Sequence, residues 1–500
     1  MIDKSKPDGE LLDMNRAMEL LKTSRSTFYR WLRSGKIKGM KVGRQWRFYK
    51  EEIDRFLKGE APKIDLTADI TPLVEAVKRH LITIGWNEEK QAKPVSEDQR
   101  VNYTVKLMML LGYMLNASDI HLEPHMKETL EKPTGILRYR IDGVLHTYAE
   151  FDTRLLPPII ERWKTMSALD PHVKDRPQDG RILAQIEGKR VDVRVCVMMS
   201  SIGEALVARF LRADTIDERF KVDALGFSTE TADRLKKHAR SPWGLIIVTG
   251  PTGSGKTTTI YTALNEVAGP GLKTMTAEDP VEFVLPWVNH LQANIRQGIT
   301  LPGLARTIMR SDPDIVMIGE IRDYETLDII FKIALTGHLV LTSLHTIDTP
   351  AALRRMLEMG GSPYVLGEAV RLVVAQHLVR KLCPYCSQPA DIPKDLRQNL
   401  KRRAELNGLK GKTPKWTFRK TVGCPRCNNI GFHGRFPIAE SLEMTPEIFS
   451  ALRRNAPIDE IRCIAVGQGM TTMLADGIRA AGNGLTTLSE IMRIFGNGWK

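Results

Sequence analysis

The spacing of apolar and polar positions changes character several times along the chain. Leu12, Ala17, Leu20 and Leu21 supply the apolar face of a first short helix, and Ser24 is placed to cap a second that carries Phe28, Tyr29, Trp31 and Leu32. Gly35 stops that helix, Ile37 to Phe48 reads as a two-stranded wing turning at Val42-Gly43-Arg44, and Glu51 to Leu57 as a closing helix. Helical periodicity returns at Pro72 to Ile82 and at Val101 to Leu115. The stretch Ala117 to Pro124 leads to Leu137 to Leu145, a strand with a tight turn. The helix Arg154 to Leu169 and the turn-rich strip Arg176 to Arg181 follow, and then strands at Arg190 to Cys196 and Glu204 to Leu211. Further on, strongly apolar strands begin near Leu245, Thr274, Ile315 and Val340, with helical segments between them. Near the end, Ile448 to Leu452, Ile458 to Val466 and Leu485 to Phe495 have the spacing of amphipathic helices, while Lys394 to Lys420 reads as an exposed basic helix and loop.

These changes predict six parts: a small basic module over 1–60, a linker with short helices over 61–98, an α+β domain over 99–220, an α/β domain over 221–382, a cysteine-bearing subdomain over 383–430 and a helical subdomain over 431–500. A chain of 500 residues is too long for a single core. It has no apolar run of the length that spans a bilayer, and Met1 to Glu10 lacks the pattern of a signal peptide, which points to the cytoplasm. The net charge of +14 is concentrated: residues 14–58 hold thirteen Lys and Arg against four Asp and Glu. Such a patch fits an anionic partner, with a solvated surface as the plain alternative.

The chemistry begins at Gly250-Pro251-Thr252-Gly253-Ser254-Gly255-Lys256-Thr257-Thr258. Its glycines let backbone N–H groups turn toward phosphate, and the following helix adds its positive end. Lys256 would reach the β- and γ-phosphates of ATP, and Thr257 would supply an oxygen to Mg²⁺. Pro313 to Glu320 is an apolar strand ending in an acid, so Glu320 is placed to polarise a water. Glu278, Asp279 and Glu282 close another strand with carboxylates suited to Mg²⁺ or to orienting water. His338 and His345 bracket a further strand; His345 is the candidate to sense the γ-phosphate and His338 is equally well explained as a structural residue. Arg194 and Arg209 lie on strands in apolar surroundings, where an arginine needs an anionic mate. Cys383-x-x-Cys386 and Cys424-x-x-Cys427 would give tetrahedral Zn²⁺ four thiolates in a closed, structural site. Cys196 and Cys463 read as core fillers.

Taken together, these boxes resemble the secretion ATPases of type II secretion and type IV pilus assembly. The matching segments are Ala117 to Pro124, Arg140 to Gly143, Pro177 to Gly180, the phosphate loop, Glu278 to Glu282, Asp312 to Asp323 and Thr336 to Thr346. The resemblance spans roughly residues 100–498 and implies a RecA-like P-loop ATPase core preceded by a PAS-like α+β domain. It further implies a homohexamer peripheral to the inner membrane, an inner-membrane platform protein and a cytoplasmic docking protein as partners, and pilin or pseudopilin assembly as the work done. By the same resemblance Glu320 is the catalytic acid, Arg194 and Arg209 face the phosphates, and the four cysteines mark assembly-type members. Two departures stand out: His377 occupies a position that is usually arginine, and the helical docking domain usual at the N-terminus is replaced. Residues 11–58 resemble instead the winged helix-turn-helix domain of phage excisionases. That implies DNA contacts from Arg25, Ser26, Thr27 and Arg30, with Arg44 and Arg47 on the wing, or recruitment of the same module to a protein or another acidic surface. A DNA-linked translocation motor and a DNA-binding regulator with an ATPase switch are therefore the alternatives to an assembly motor.

Overall fold

The computed structural model describes residues 10–33, 37, 39–43, 45–58, 66, 69–87, 97–126, 133–211, 220–409 and 416–496. Gly35 and Arg44, the expected helix stop and wing residue, lie outside the described residues. The chain divides into two compact units, one of residues 1–141, 145–188 and 193–210 and one of residues 142–144, 189–192 and 211–500.

The first unit begins with a small antiparallel sheet of β1 (Leu11–Asp13), β2 (Met40–Val42) and β3 (Gln45–Tyr49) in the order β1-β3-β2. Helices Met14–Leu20, Arg25–Arg33 and Lys50–Leu57 pack around it. Phe28 and Phe48 meet edge to face, ring centres 5.0 Å apart, and with Ala17, Ile37 and Ile53 they form the core. Leu12 belongs to β1 and not to the first helix. Asp13 ends the strand by accepting the Arg16 N–H at 2.8 Å, so the helix begins only after it.

Six longer strands follow: β4 (Asp119–Met126), β5 (Pro133–Ile141), β6 (Val144–Asp152), β7 (Gln178–Ile186), β8 (Lys189–Ser200) and β9 (Gly203–Leu211), ordered β6-β5-β4-β9-β8-β7. Their alternation sends Ile120, Leu122, Leu137, Tyr139, Val193, Val195, Leu206 and Ala208 into the core with the helices Glu97–Met114 and Leu156–Met166. The other face carries the charged residues. The strip expected as turn becomes the edge strand β7, because Gly180 lets the backbone pass the end of the preceding helix; a Cβ there would stand 2.5 Å from the Ser167 carbonyl.

The second unit is built on β10 (Gly244–Thr249), β11 (Thr274–Glu278), β12 (Val288–Gln292), β13 (Ile315–Ile318), β14 (Leu339–Leu344), β15 (Val370–Leu382) and β18 (Phe432–Glu443), with a minor ribbon of β16 (Gln388–Pro389) and β17 (Arg419–Lys420). The main sheet runs β12-β11-β13-β14-β10-β15-β18, parallel except for the β15–β18 pair. Every residue of β10 and β14 is buried, as a parallel sheet covered on both faces requires. Ile246 and Val248 pack with helices Thr229–Ala239 and Lys256–Val267, and Leu245 and Ile247 with helices Leu301–Met309 and Tyr324–Leu335. This is the RecA-like α/β core.

The C-terminal helices are Lys394–Leu406, Pro446–Arg453, Ile458–Gly467, Met473–Gly482 and Leu488–Phe495. Helix Lys394–Leu406 is not a free surface element: Leu400 and Ala404 are buried with Trp416 and Phe418. Helix Met473–Gly482, which buries Met473 and Ile478 together with Ala475, Gly477, Ala480 and Ala481, is not among the expected helices. Cys463 is exposed on its helix and is therefore no core filler, while Cys196 is half-buried. Among the described residues no helix is long and apolar enough to cross a membrane.

The last helix is fixed by Glu490, whose side chain is fully buried and receives Arg380 from β15 and Arg493. Burial alone would raise its carboxyl; the two guanidinium groups prevail and hold it at about 2, below its ordinary 4.5. A depressed carboxyl stabilises the fold above its unfolded value and loses that contribution as pH falls toward the folded one. About 3 kcal/mol is therefore expected to disappear between pH 4.5 and about 2. Hydrogen exchange in Leu488–Phe495 should lose protection over that window, and Glu490→Gln should abolish the dependence. An identical acid loss in the variant would contradict it.

Candidate active site

The phosphate-binding loop leaves β10 between the ends of two neighbours, with Thr249 level with Leu344 of β14 on one side and Ala375 of β15 on the other. Thr249 ties the first pair together: its hydroxyl donates to the Leu344 carbonyl at 3.1 Å and accepts the Thr346 N–H at 2.9 Å. Gly253 and Gly255 adopt φ of 77° and 88°, the left-handed region that turns the loop. Gly250 answers a different demand, since a Cβ there would lie 2.3 Å from the Gln376 carbonyl. Among the described residues the amides of Gly253, Gly255, Lys256 and Thr257 make no hydrogen bond, and they stand at the N-terminus of helix Lys256–Val267. A row of unpaired amides at a helix start, beside a lysine, fits a polyphosphate. Ser254 is buried, whereas Pro251, Thr252, Thr257 and Thr258 are exposed.

Lys256 is buried and donates to the carbonyls of Gly250 and Pro251 at 2.9 and 3.1 Å. Its ammonium also lies 3.4 Å from His345 Nδ1, and His345 Nε2 lies 3.0 Å from Glu320 Oε2. An ammonium can only donate, so Nδ1 is the acceptor and the imidazole proton sits on Nε2, pointed at Glu320. Burial lowers the Lys256 pKa and the nearby Glu320 carboxylate opposes that. Arg322 Nε donates to Glu320 Oε1 at 2.7 Å, and the same guanidinium stands 3.5 Å from Asp279. Lys256, the neutral His345, Glu320, Arg322 and Asp279 thus form one line of polar contacts along the carboxyl ends of β10, β14, β13 and β11.

The expected residues do not all meet there. Glu278 is 2% exposed, and both its oxygens already have protein partners in Tyr261, Thr276 and His290. These contacts hold Glu278 inside the fold, while Glu282, four residues on, is half-buried. Arg194 and Arg209 lie on β8 and β9 in the first unit. Arg209 has its anionic mate in Asp119, Nε to Oδ1 2.8 Å, while Arg194 has none among the described residues. His338 bonds to the Ile333 carbonyl at 3.0 Å, a local structural role.

Gln376 escaped the sequence reading. Its Nε2 donates to the Ser254 carbonyl at 2.7 Å and its Oε1 accepts the Thr259 hydroxyl at 2.8 Å, so it clamps both the loop and the helix that follows. The signal was an amide directly after the apolar run Leu372–Ala375. Tyr261 and His290, which surround Glu278, were missed too.

The four cysteines converge as expected. Cys383 and Cys424 sulfurs are 3.9 Å apart, Cys386 and Cys427 3.8 Å, Cys424 and Cys427 3.7 Å, and all four lie within 4.8 Å of one another. Zinc–sulfur bonds of about 2.3 Å in a tetrahedron put sulfurs about 3.8 Å apart, so the cluster fits that ion. The Cys424 and Gly431 amides point at the Cys427 sulfur at 3.3 and 3.2 Å, as a thiolate prefers.

A family model described as "Type II/IV secretion system protein" matches residues 95–493, and one described as "Helix-turn-helix domain" matches residues 11–61. The chain is 36% identical over 447 residues to the type IV pilus assembly ATPase PilB of Myxococcus xanthus, covering 89% of this chain and 75% of that protein. It is 38% identical over 378 residues to the type II secretion system protein HxcR of Pseudomonas aeruginosa, covering 76% and 74% respectively. The solved structure of the ATPase DotB of Legionella pneumophila shares the fold, with a TM-score of 0.56 at 18% identity over 82% of this chain and 98% of that one.

Proposed function

Because the chain belongs to the type II/IV secretion system protein family and carries an N-terminal helix-turn-helix domain, we propose that its ATP hydrolysis drives a pilus-assembly or type II secretion machine. The chain is an ATP-hydrolysing motor related to those ATPases; pilin or pseudopilin is the cargo class. It works as a homohexamer on the cytoplasmic face of the inner membrane, against a membrane-embedded platform protein. The observation that carries the reading is the approach of Lys256, His345 and Glu320 at the mouth of the phosphate loop.

The roles follow from that line of contacts. The loop amides and Lys256 bind the polyphosphate, and Thr257, exposed at the helix start, offers its hydroxyl to Mg²⁺. Bound Mg²⁺ supplies neutralisation of charge on the phosphate oxygens. Glu320 Oε2 takes the proton of the attacking water, with Arg322 holding the other oxygen still. His345 joins that carboxylate to Lys256, so loss of negative charge at the phosphates is felt at Glu320 through one imidazole. Glu282 orients water. Zn²⁺ at Cys383, Cys386, Cys424 and Cys427 is structural, closing the subdomain that interrupts the β15–β18 pair.

Glu320→Gln is expected to lower steady-state phosphate release by at least about 100-fold while leaving nucleotide affinity nearly unchanged. Retained turnover would overturn the assignment of the base. For the metal, elemental analysis of the purified chain should give one zinc per chain, and chelation should open residues 383–430 to protease before the phosphate loop is affected. A metal-free chain with the same protease resistance would contradict the structural site.

A further inference from the structure

We propose that Tyr261 and His290 are positioning residues that set the acid-bearing loop 279–287, and that Glu278 is the anchor that orients them both. The proposal rests on the reading above in which Glu282 acts at the phosphates. Tyr261 lies on helix Lys256–Val267, five residues beyond Lys256 and so little more than one turn further along. Its hydroxyl donates to Glu278 Oε2, which leaves the oxygen lone pairs free. Those lone pairs accept the N–H of Glu282 at 3.3 Å and the N–H of Phe283 at 3.5 Å.

His290 on β12 repeats the arrangement from the other side. Its Nε2 is 3.0 Å from the Leu285 amide nitrogen, and its Nδ1 is 2.8 Å from Glu278 Oε1. A backbone N–H can only donate, so Nε2 must be the bare nitrogen and Nδ1 must carry the proton, directed at Glu278. Tyr261 and His290 therefore each give their one proton to the same carboxylate and keep a lone pair for the loop. Thr276 completes the anchor, with its hydroxyl 2.5 Å from Glu278 Oε1. The rings support the geometry. Tyr261 stacks on His290 with centroids 5.9 Å apart and meets Phe283 edge-on at 5.5 Å.

The loop is thus held at Glu282, Phe283 and Leu285 by two side chains whose orientation a single buried carboxylate fixes. Because Tyr261 belongs to the helix that the phosphate loop initiates, the two acid- and phosphate-bearing loops are set by one rigid element. Glu278 reaches the chemistry through Tyr261 and His290 and not by touching a metal.

The test is a double-mutant cycle of Tyr261→Phe and Glu282→Gln in the full-length chain, read as kcat and as the Kd for ATP, together with hydrogen exchange over residues 279–287. Tyr261→Phe should lower kcat by roughly ten- to a hundredfold with Kd nearly unchanged, as expected when a reacting group is misplaced but not removed. It should also speed exchange of the Glu282 and Phe283 amides. The double variant should be no slower than Glu282→Gln alone. Unchanged exchange in Tyr261→Phe, or losses that multiply in the double variant, would overturn the proposal. If Glu282→Gln keeps full kcat while Tyr261→Phe still frees the loop amides, the positioning stands and the role given to Glu282 is what fails. His290→Gln, which can keep an acceptor for Leu285, should retain more protection there than His290→Asn; equal loss in both would also count against it.

Discussion

Gln376 ties the phosphate-binding loop to the strand beside it, and most of what this site can do depends on that tie. A loop that turns its amides outward toward an anion leaves its own carbonyls pointing inward, where something must receive them. The carbonyl of Ser254 meets the Gln376 amide, and the same side chain accepts the hydroxyl of Thr259 one turn into the helix. The clamp is 1% exposed, so no water competes for either bond, and an unmet partner would carry its full desolvation cost. Gly250 is needed for the same reason, since β15 passes too close for a side chain.

Because β15 is thirteen residues long, it connects this clamp to distant parts of the second unit. Four residues beyond Gln376, Arg380 is seized by the buried Glu490 of the last helix, and the strand ends one residue before the first cysteine pair at Cys383. The antiparallel partner β18 carries Glu440, whose two oxygens receive the first amides of helices Thr349–Glu358 and Met473–Gly482. A single carboxylate thus meets two helix starts, one of which directly follows His345 and Thr346. The hydrolytic residues, the cysteine cluster and the C-terminal helices are therefore joined through two strands.

The motif-bearing part of this architecture was legible because its physics is local. A glycine loop between an apolar strand and a helix, an acid at the end of a buried strand and paired C-x-x-C turns each announce themselves within about ten residues. The polar contacts were not legible, since Gln376 is 122 residues from Ser254 and Glu440 is 91 from Thr349. Nothing in a sequence tells that a buried amide and a carbonyl so far apart will share a register. The partners of Glu278 were equally hidden: an acid at a strand end gives no sign that Tyr261, Thr276 and His290 hold it.

Through Gln376, β15 imposes the shape of the phosphate loop. Equilibrium titration of ATP onto the full-length chain and onto Gln376→Leu measures this. Leaving the Ser254 carbonyl and the Thr259 hydroxyl unpaired costs about 1–3 kcal/mol, so the Kd for ATP should rise about five- to 150-fold in a chain that stays folded. A folded Gln376→Leu that binds ATP as tightly as the parent would show that the loop holds its own shape without β15.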